Sequence, residues 1–299
     1  MRLFLHSGFL FFASVVMVVL FSGCDNNDPD LVPAYISVDK IDFSAQYEQG
    51  TSSHKLTDVW VYLDETLLGA YELPAKFPVL AEGKRNITFR PGFRINGIAA
   101  TRAIYPFATA VTRELNLTRD SVTHIASVAS TYKNNVLFPW IERFESGTLS
   151  IEPTPRSHVN IQRTDDPALA FSFPGEGSGF SGLIEIESDT AIFDAVTRET
   201  FDFPRAGSEV FLEVNFKTNN PVTVGVFYKS SGIEVQRPML VLNKSENWNK
   251  IYVNLTTPKY DTPNATDFRI FFGAKLESGN EKATILIDNL KLVHFNTSK

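Results

Sequence analysis

From Ala34 onward the chain alternates between apolar and polar positions and shows no long segment with the three-and-four spacing of a helix. In EVFLEVNFK, Val210, Leu212, Val214 and Phe216 fall on one side of an extended segment. Glu209, Glu213, Asn215 and Lys217 fall on the other, with Phe211 as the one apolar exception. That pattern predicts an antiparallel strand with one wet face. Upstream, TDVWVYLDETLLGAYEL sets Val59, Val61 and Leu63 against Trp60 and Tyr62. Bulk on both sides predicts a central strand covered on both faces, turning at Asp64, Glu65 and Thr66 into a partner that ends near Pro74.

Further strands are predicted over residues 113–117 and 121–131. Beyond Trp140 they become longer and more regular, over 182–188, 209–217, 222–228, 238–242, 248–255, 268–275 and 284–295. Short strands with turn signals between them predict a small β-sandwich in the first part of the chain. About eight longer ones predict a jelly-roll sandwich in the second. The stretch GFRINGIAATRAIYP, from Gly92 to Pro106, is polar and not strand-like. It reads as either an ordinary long connection or a functional loop. No repeat of fixed period is present.

Ahead of the strands, FLFFASVVMVVLF runs from Phe9 to Phe21, with Arg2 before it and Ser22, Gly23 and Cys24 after it. The run suits the apolar region of a signal peptide and is short for a membrane span. FSGC resembles the lipobox of Gram-negative lipoproteins, with Phe21 where that family usually has leucine. The resemblance implies cleavage before Cys24, acylation of its thiol, and attachment to a membrane through the acyl chains. DNNDPDLVP then reads as an extended tether. Its acids, Asp25, Asp28 and Asp30, resemble the export signal of lipoproteins displayed at the cell surface from the outer membrane. In other lineages an aspartate at the position of Asp25 retains a lipoprotein at the inner membrane, so the leaflet is left open. The expected organisation is a signal peptide over 1–23, a lipidated cysteine and tether over 24–33, an N-terminal sandwich over 34–140 and a C-terminal sandwich over 141–299. The fold class is all-β.

Two resemblances refine the sandwiches. VWVYLDETLLGAYELPAKFPVLAEGKRNITFRPG resembles immunoglobulin-like and carboxypeptidase-regulatory-like modules in its rhythm. FESG at Phe144–Gly147, WNKIYVNL at Trp248–Leu255 and ATILIDNLKL at Ala283–Leu292 resemble strands of carbohydrate-binding-module and galactose-binding-like jelly rolls. The second resemblance implies glycan binding, and a structural calcium ion on Glu145 and Asp288. Solvated acids at strand ends are the plainer reading of that pair.

Composition narrows the function. The net charge is −6, and removing a leader whose one formal charge is Arg2 makes it −7. With no dense Lys/Arg cluster, nucleic acid is excluded as a partner. The single cysteine, once lipidated, leaves no thiol for a disulfide, a cysteine metal site or a nucleophile. The 25 Phe and 9 Tyr favour strands. No HExxH, GxSxG, P-loop or GxGxxG motif is present. The chain is therefore read as a non-enzyme; a glycoside hydrolase, which needs only two carboxylates, is the enzymatic class left open.

Trp248 and Tyr252 share one face of their strand, about 13 Å apart at ~3.4 Å per residue. Arg269 and Phe271 lie on the minority face of the 268–275 strand, so pairing of the two strands predicts an aromatic and cationic surface for sugar rings. The plainer reading packs Trp248 and Tyr252 beneath a loop or against the first sandwich. The expected function is glycan binding by an anchored envelope lipoprotein. The alternative is a structural or assembly subunit that contacts another envelope protein.

Overall fold

The computed structural model describes residues 32–173 and 179–297. The leader, Cys24 and the tether through residue 31 lie outside the described residues. The first eight strands are β1 (Ala34–Ser44), β2 (Asp58–Leu63), β3 (Thr66–Glu72), β4 (Ala75–Val79), β5 (Gly83–Arg94), β6 (Arg102–Ile104), β7 (Val111–Leu117) and β8 (Val122–Thr131). One sheet has the order β4-β1-β8, with β1 and β8 parallel. The other is β3-β2-β5, with β7 beside the start of β5 and β6 beside its end. Ile36, Val38, Val59, Val61, Phe77, Ile87 and Phe89 are buried between the two sheets. Each large apolar side chain so buried contributes about 1.5–3 kcal/mol.

β2 is central in hydrogen bonding, and its Val59 and Val61 face is fully covered; on the other face Asp58 is buried while Trp60 and Tyr62 are partly exposed. The expectation of a strand covered on both faces is met only in part. Arg90 lies over the Tyr62 ring, 4.9 Å from its centroid. The Trp60 indole packs on Gly92, where an added Cβ would come within 3.0 Å of its Cδ1. An arginine and bare backbone thus take the place of a further layer.

The second part comprises β9 (Val136–Glu142), β10 (Ile151–Pro153), β11 (Gln162–Thr164), β12 (Ser181–Ile186), β13 (Ile192–Thr197), β14 (Val210–Thr218), β15 (Val222–Ser230), β16 (Ile233–Leu242), β17 (Ser245–Asn254), the short helix α1 (Thr256–Asp261), β18 (Thr266–Lys275) and β19 (Ala283–Phe295). Two sheets face each other, β11-β12-β19-β14-β17 with β9 also on β19, and β10-β13-β18-β15-β16. Their shared core contains Leu212, Val214, Phe216, Val224, Val226, Ile270, Phe272, Ile285 and Ile287. The chain is therefore an all-β double sandwich, with the second part built as a jelly roll.

The wet face expected for β14 is also corrected. Phe211, Glu213 and Asn215 are all buried, because the first sandwich packs on the outer face of β19, β14 and β17. Phe93 stands edge-on to Phe211 and Tyr252, at 5.4 and 5.2 Å between centroids. Tyr105 and Tyr132 both donate to Glu213 Oε1, at 2.5 and 2.7 Å. Lys250 Nζ lies 2.7 Å from Glu213 Oε2, an ion pair off the angle of a directed hydrogen bond. Burial works to raise the Glu213 pKa, but the charges of Lys250 and Lys291, with the close approach of Lys250 and the hydrogen bond from Tyr105, hold it down at about 2. Lys291 donates to the Thr51 carbonyl, the Asn215 amide to Ser53 Oγ, and the Lys55 N–H to Tyr252 Oη. The stretch from Gly92 to Pro106 belongs to this junction: Asn96, in the left-handed region at φ 55°, accepts the Asn254 N–H through Oδ1 at 2.8 Å.

Candidate functional site

With one sheet of the second sandwich covered, the outer face of β10-β13-β18-β15-β16 is its remaining broad surface. Strand alternation builds that face. Phe193 and Ala195 of β13, Ile270 and Phe272 of β18, and Val224 and Val226 of β15 point into the core. Asp194, Val196, Arg269, Phe271, Gly273, Thr223, Gly225 and Phe227 point outward. Pairing sets these in rows: Asp194, Gly273 and Thr223 in one, Val196, Phe271 and Gly225 in the next, and Arg269, Phe227 and Gln236 in a third.

Two depressions cross these rows. The larger, of ≈ 640 Å³, has Asp194, Thr223, Gly273, Phe271 and Pro238 in its lining. The smaller, of ≈ 410 Å³, is bounded in part by Val196, Phe227, Glu234 and Arg269. Arg156 and Gln236 line both, so the two adjoin along the strands as one groove, with those side chains between them. Arg156 Nη2 lies 2.7 Å from Asp194 Oδ2 and donates to Gln236 Oε1 at 3.0 Å, tying β13 to β16 over the sheet. Val196, Phe227 and Phe271 form a small buried apolar cluster at the base.

Two glycines shape the floor. At Gly225 an added Cβ would lie 2.3 Å from the Arg237 carbonyl oxygen and 2.5 Å from Phe271 Cε1, so the Phe271 ring sits close over bare backbone. At Gly273 the nearest atoms would be Phe193 O at 3.7 Å and Phe271 Cε2 at 4.0 Å, ordinary contacts that leave space above. Glycine inside a strand is a sequence signal of close backbone approach. It is the signal that points to this face, whereas Arg156, Asp194 and Gln236 carry none of their own.

The residues expected to bind ligand do not come together. Tyr252 is buried under the first sandwich, stacked edge-on with Phe93. Trp248 is partly buried, donates from Nε1 to the Leu169 carbonyl at 3.2 Å, and packs edge-on to Phe171. Arg269 is on the opposite sheet, because β17 pairs with β14 and β18 with β13 and β15. The expected shared surface is thus corrected: Trp248 and Tyr252 are divided from Arg269 by the whole sandwich. Arg269 does border the groove, where it meets Glu234 at 2.6 Å and lies over the Phe227 ring.

Glu145 and Asp288 do come together, on a small cavity of ≈ 30 Å³ that Arg143 and Thr51 also line. Asp288 accepts hydrogen bonds from Ser181 Oγ at 2.7 Å and the Asn289 N–H at 2.5 Å; Glu145 Oε1 accepts the Phe180 N–H at 3.0 Å. Burial raises the Asp288 pKa to about 7, against its hydrogen bonds, and the Glu145 charge adds to the rise. Among the described residues no cluster of three or more His, Cys, Asp or Glu side chains forms. The pair therefore fits calcium only if backbone oxygens and water complete the six to eight ligands that ion takes.

No protein-family model and no curated protein matches the chain. Solved structures similar to it include carbohydrate-binding modules. The xylan-binding domain of family 22 is 12% identical, with a TM-score of 0.35, covering 54% of this chain and 97% of that domain. The family 30 module of a Clostridium thermocellum cellulosomal cellulase is 13% identical, with a TM-score of 0.34, covering 56% of this chain and 96% of that one. A two-module Clostridium thermocellum endo-1,4-β-D-xylanase complexed with xylohexaose is 12% identical, with a TM-score of 0.36. It covers 53% of this chain, and the chain spans 28% of its length.

Proposed function

We propose that this chain is a non-catalytic, lipid-anchored envelope protein whose second sandwich binds glycan in the groove on its outer sheet. The observation that carries this reading is the groove itself. An apolar base of Val196, Phe227 and Phe271 lies beneath planar polar side chains, Arg156, Gln236 and Asp194, which are already hydrogen-bonded into position. Ligand sites combine such apolar lining with a few placed polar groups. Sugar rings present both apolar C–H faces and hydroxyls that donate and accept. The anchor rests on Cys24 and its resemblance to a lipobox.

Gly273→Val tests the groove. Its Cβ meets only ordinary contacts and a β-branched residue suits a strand, so the variant folds with its groove filled. Retardation in native gels cast with a panel of polysaccharides is expected for the parent and lost in the variant. Equal retardation of both discards the groove. Recovery of a stoichiometric envelope protein with no glycan retained marks the assembly-subunit reading instead. For the anchor, intact-mass spectrometry is expected to show acyl chains on Cys24, and Cys24→Ser to release the protein from the membrane fraction.

The same reading gives Glu145 and Asp288 a calcium ion, whose charge would relieve the crowding of two carboxylates. Calcium is expected to raise the melting temperature of the parent chain and leave Asp288→Asn unchanged.

A further inference from the structure

The end of the first sandwich farthest from the junction carries an exposed apolar patch. β1 lies between β4 and β8, and its Tyr35 is opposite Pro78 on one side and Val122 on the other. Ala34 and Ile36 enter the core, so by alternation Tyr35, Pro78 and Val122 form a row on the outer face of the sheet. Leu80, two residues beyond Pro78, continues that face, and Val32 and Pro33 lead into it at the start of β1. Leu80 is 66% exposed, Val122 47% and Val32 46%. A single exposed aliphatic is ordinary, but here several lie on adjoining strands and make one surface. Lys76 Nζ lies over the Tyr35 ring, 5.0 Å from its centroid, and the nearby Arg119 is paired with Glu82 at 2.8 Å.

The place of this patch in the chain points to what covers it. Val32 is the first described residue, and seven residues, DNNDPDL, separate it from Cys24. A chain spans at most about 3.3–3.6 Å per residue, so an anchor at Cys24 keeps the patch within about 29 Å of the lipid. The three aspartates of that segment make it a costly cover for apolar side chains. β1 runs eleven residues, about 33 Å, from the patch toward the junction, so the second sandwich stands clear of it. Aliphatic side chains suit the boundary of headgroups and acyl chains, tyrosine the headgroup level, and lysine the lipid phosphates. We propose that this end of the first sandwich seats on the bilayer surface, with Leu80 and Val122 in the interface and Tyr35 and Lys76 at the headgroups. The proposal rests on the lipid anchor put forward above and adds a second contact to it.

The test uses the full lipidated chain in vesicles of phosphatidylethanolamine and phosphatidylglycerol. With Cys24 acylated, Leu80→Cys or Val122→Cys supplies the one free thiol, to which an environment-sensitive dye is attached. The reference is each variant made on Cys24→Ser without residues 1–23 and held in buffer. Quenching of the dye by aqueous iodide is expected to be at least about threefold weaker in vesicles than in the reference, at both positions. Ile233→Cys, exposed on β16 of the second sandwich, is expected to be quenched equally in both. A dye at residue 80 or 122 quenched in vesicles as fully as the one at 233 overturns the proposal and leaves the anchor standing. A chain that does not float with the vesicles overturns both. Shielding already present in the reference assigns the patch to the chain's own leading segment or to a second copy, and also overturns the proposal.

Discussion

Replacing Glu213 with glutamine keeps the shape of the side chain and its ability to accept from Tyr105 and Tyr132, but removes the negative charge facing Lys250 and Lys291. Both lysines are buried, with 3% of the Lys250 side chain and 0% of Lys291 exposed, so water does not take over the lost role. The depression of the Glu213 pKa from 4.5 to about 2 corresponds to about 3 kcal/mol of favourable interaction. Removing one partner of a buried pair costs about 3–5 kcal/mol, which agrees with it. Urea unfolding reads this out, followed by tryptophan fluorescence and by far-ultraviolet circular dichroism. Trp60 reports on the first sandwich, and Trp140 and Trp248 on the second. Glu213→Gln is expected to lower the unfolding free energy by about 3 kcal/mol, while the parent unfolds in a single transition by both probes. A loss below about 1 kcal/mol, or two separate transitions in the parent, would refute the claim that this acid joins the sandwiches into one cooperative unit. Acid supplies a second check. Because the folded pKa lies below the unfolded one, the contribution is complete above about pH 4.5 and lost as pH falls through about 2; a parent whose stability is flat over that window contradicts it.

Tyr252→Phe removes the hydroxyl that accepts the Lys55 N–H and is expected to cost about 1 kcal/mol in urea unfolding, with polysaccharide retention unchanged. Gly225→Ala forces a Cβ against the Arg237 carbonyl and the Phe271 ring and is expected to cost about 1–3 kcal/mol by the same assay. Without calcium, Asp288 has a folded pKa of about 7 against 3.8, so its contribution to stability falls by roughly 4 kcal/mol as pH rises from about 4 to about 7. Asp288→Asn is expected to flatten that part of the pH–stability curve, and an unchanged slope assigns it to another group.

Much of the strand content was legible because period-two alternation is a local property of the chain. β14, β15, β18 and β19 follow the apolar positions almost residue for residue. β13 escaped notice: in IFDAVT the apolar residues are spread over both faces, since Phe193 enters the core while Val196 joins the outer cluster. β16 starts at Ile233, five residues before its expected beginning, because the IEVQR segment has few apolar residues to mark an edge strand. What alternation does not encode is the identity of the layer that covers a polar face. Glu213 on β14 and Arg269 on β18 look alike in sequence, yet the first meets tyrosines 108 and 81 residues away while the second meets solvent and Glu234. The candidate groove was hidden for the same reason. Arg156 and Gln236 are 80 residues apart, and only the strand order brings them together.

The first sandwich rests on one sheet of the second, and the groove lies on the other. β1 enters at Ala34 beside Val79 and runs toward the junction, where Ser53 and Lys55 reach Asn215 and Tyr252. A ligand seated in that groove, as proposed, would therefore meet no part of the first sandwich. Were the chain held by its amino terminus, as proposed, the first sandwich would act as a spacer and the groove would face away from the surface it stands on.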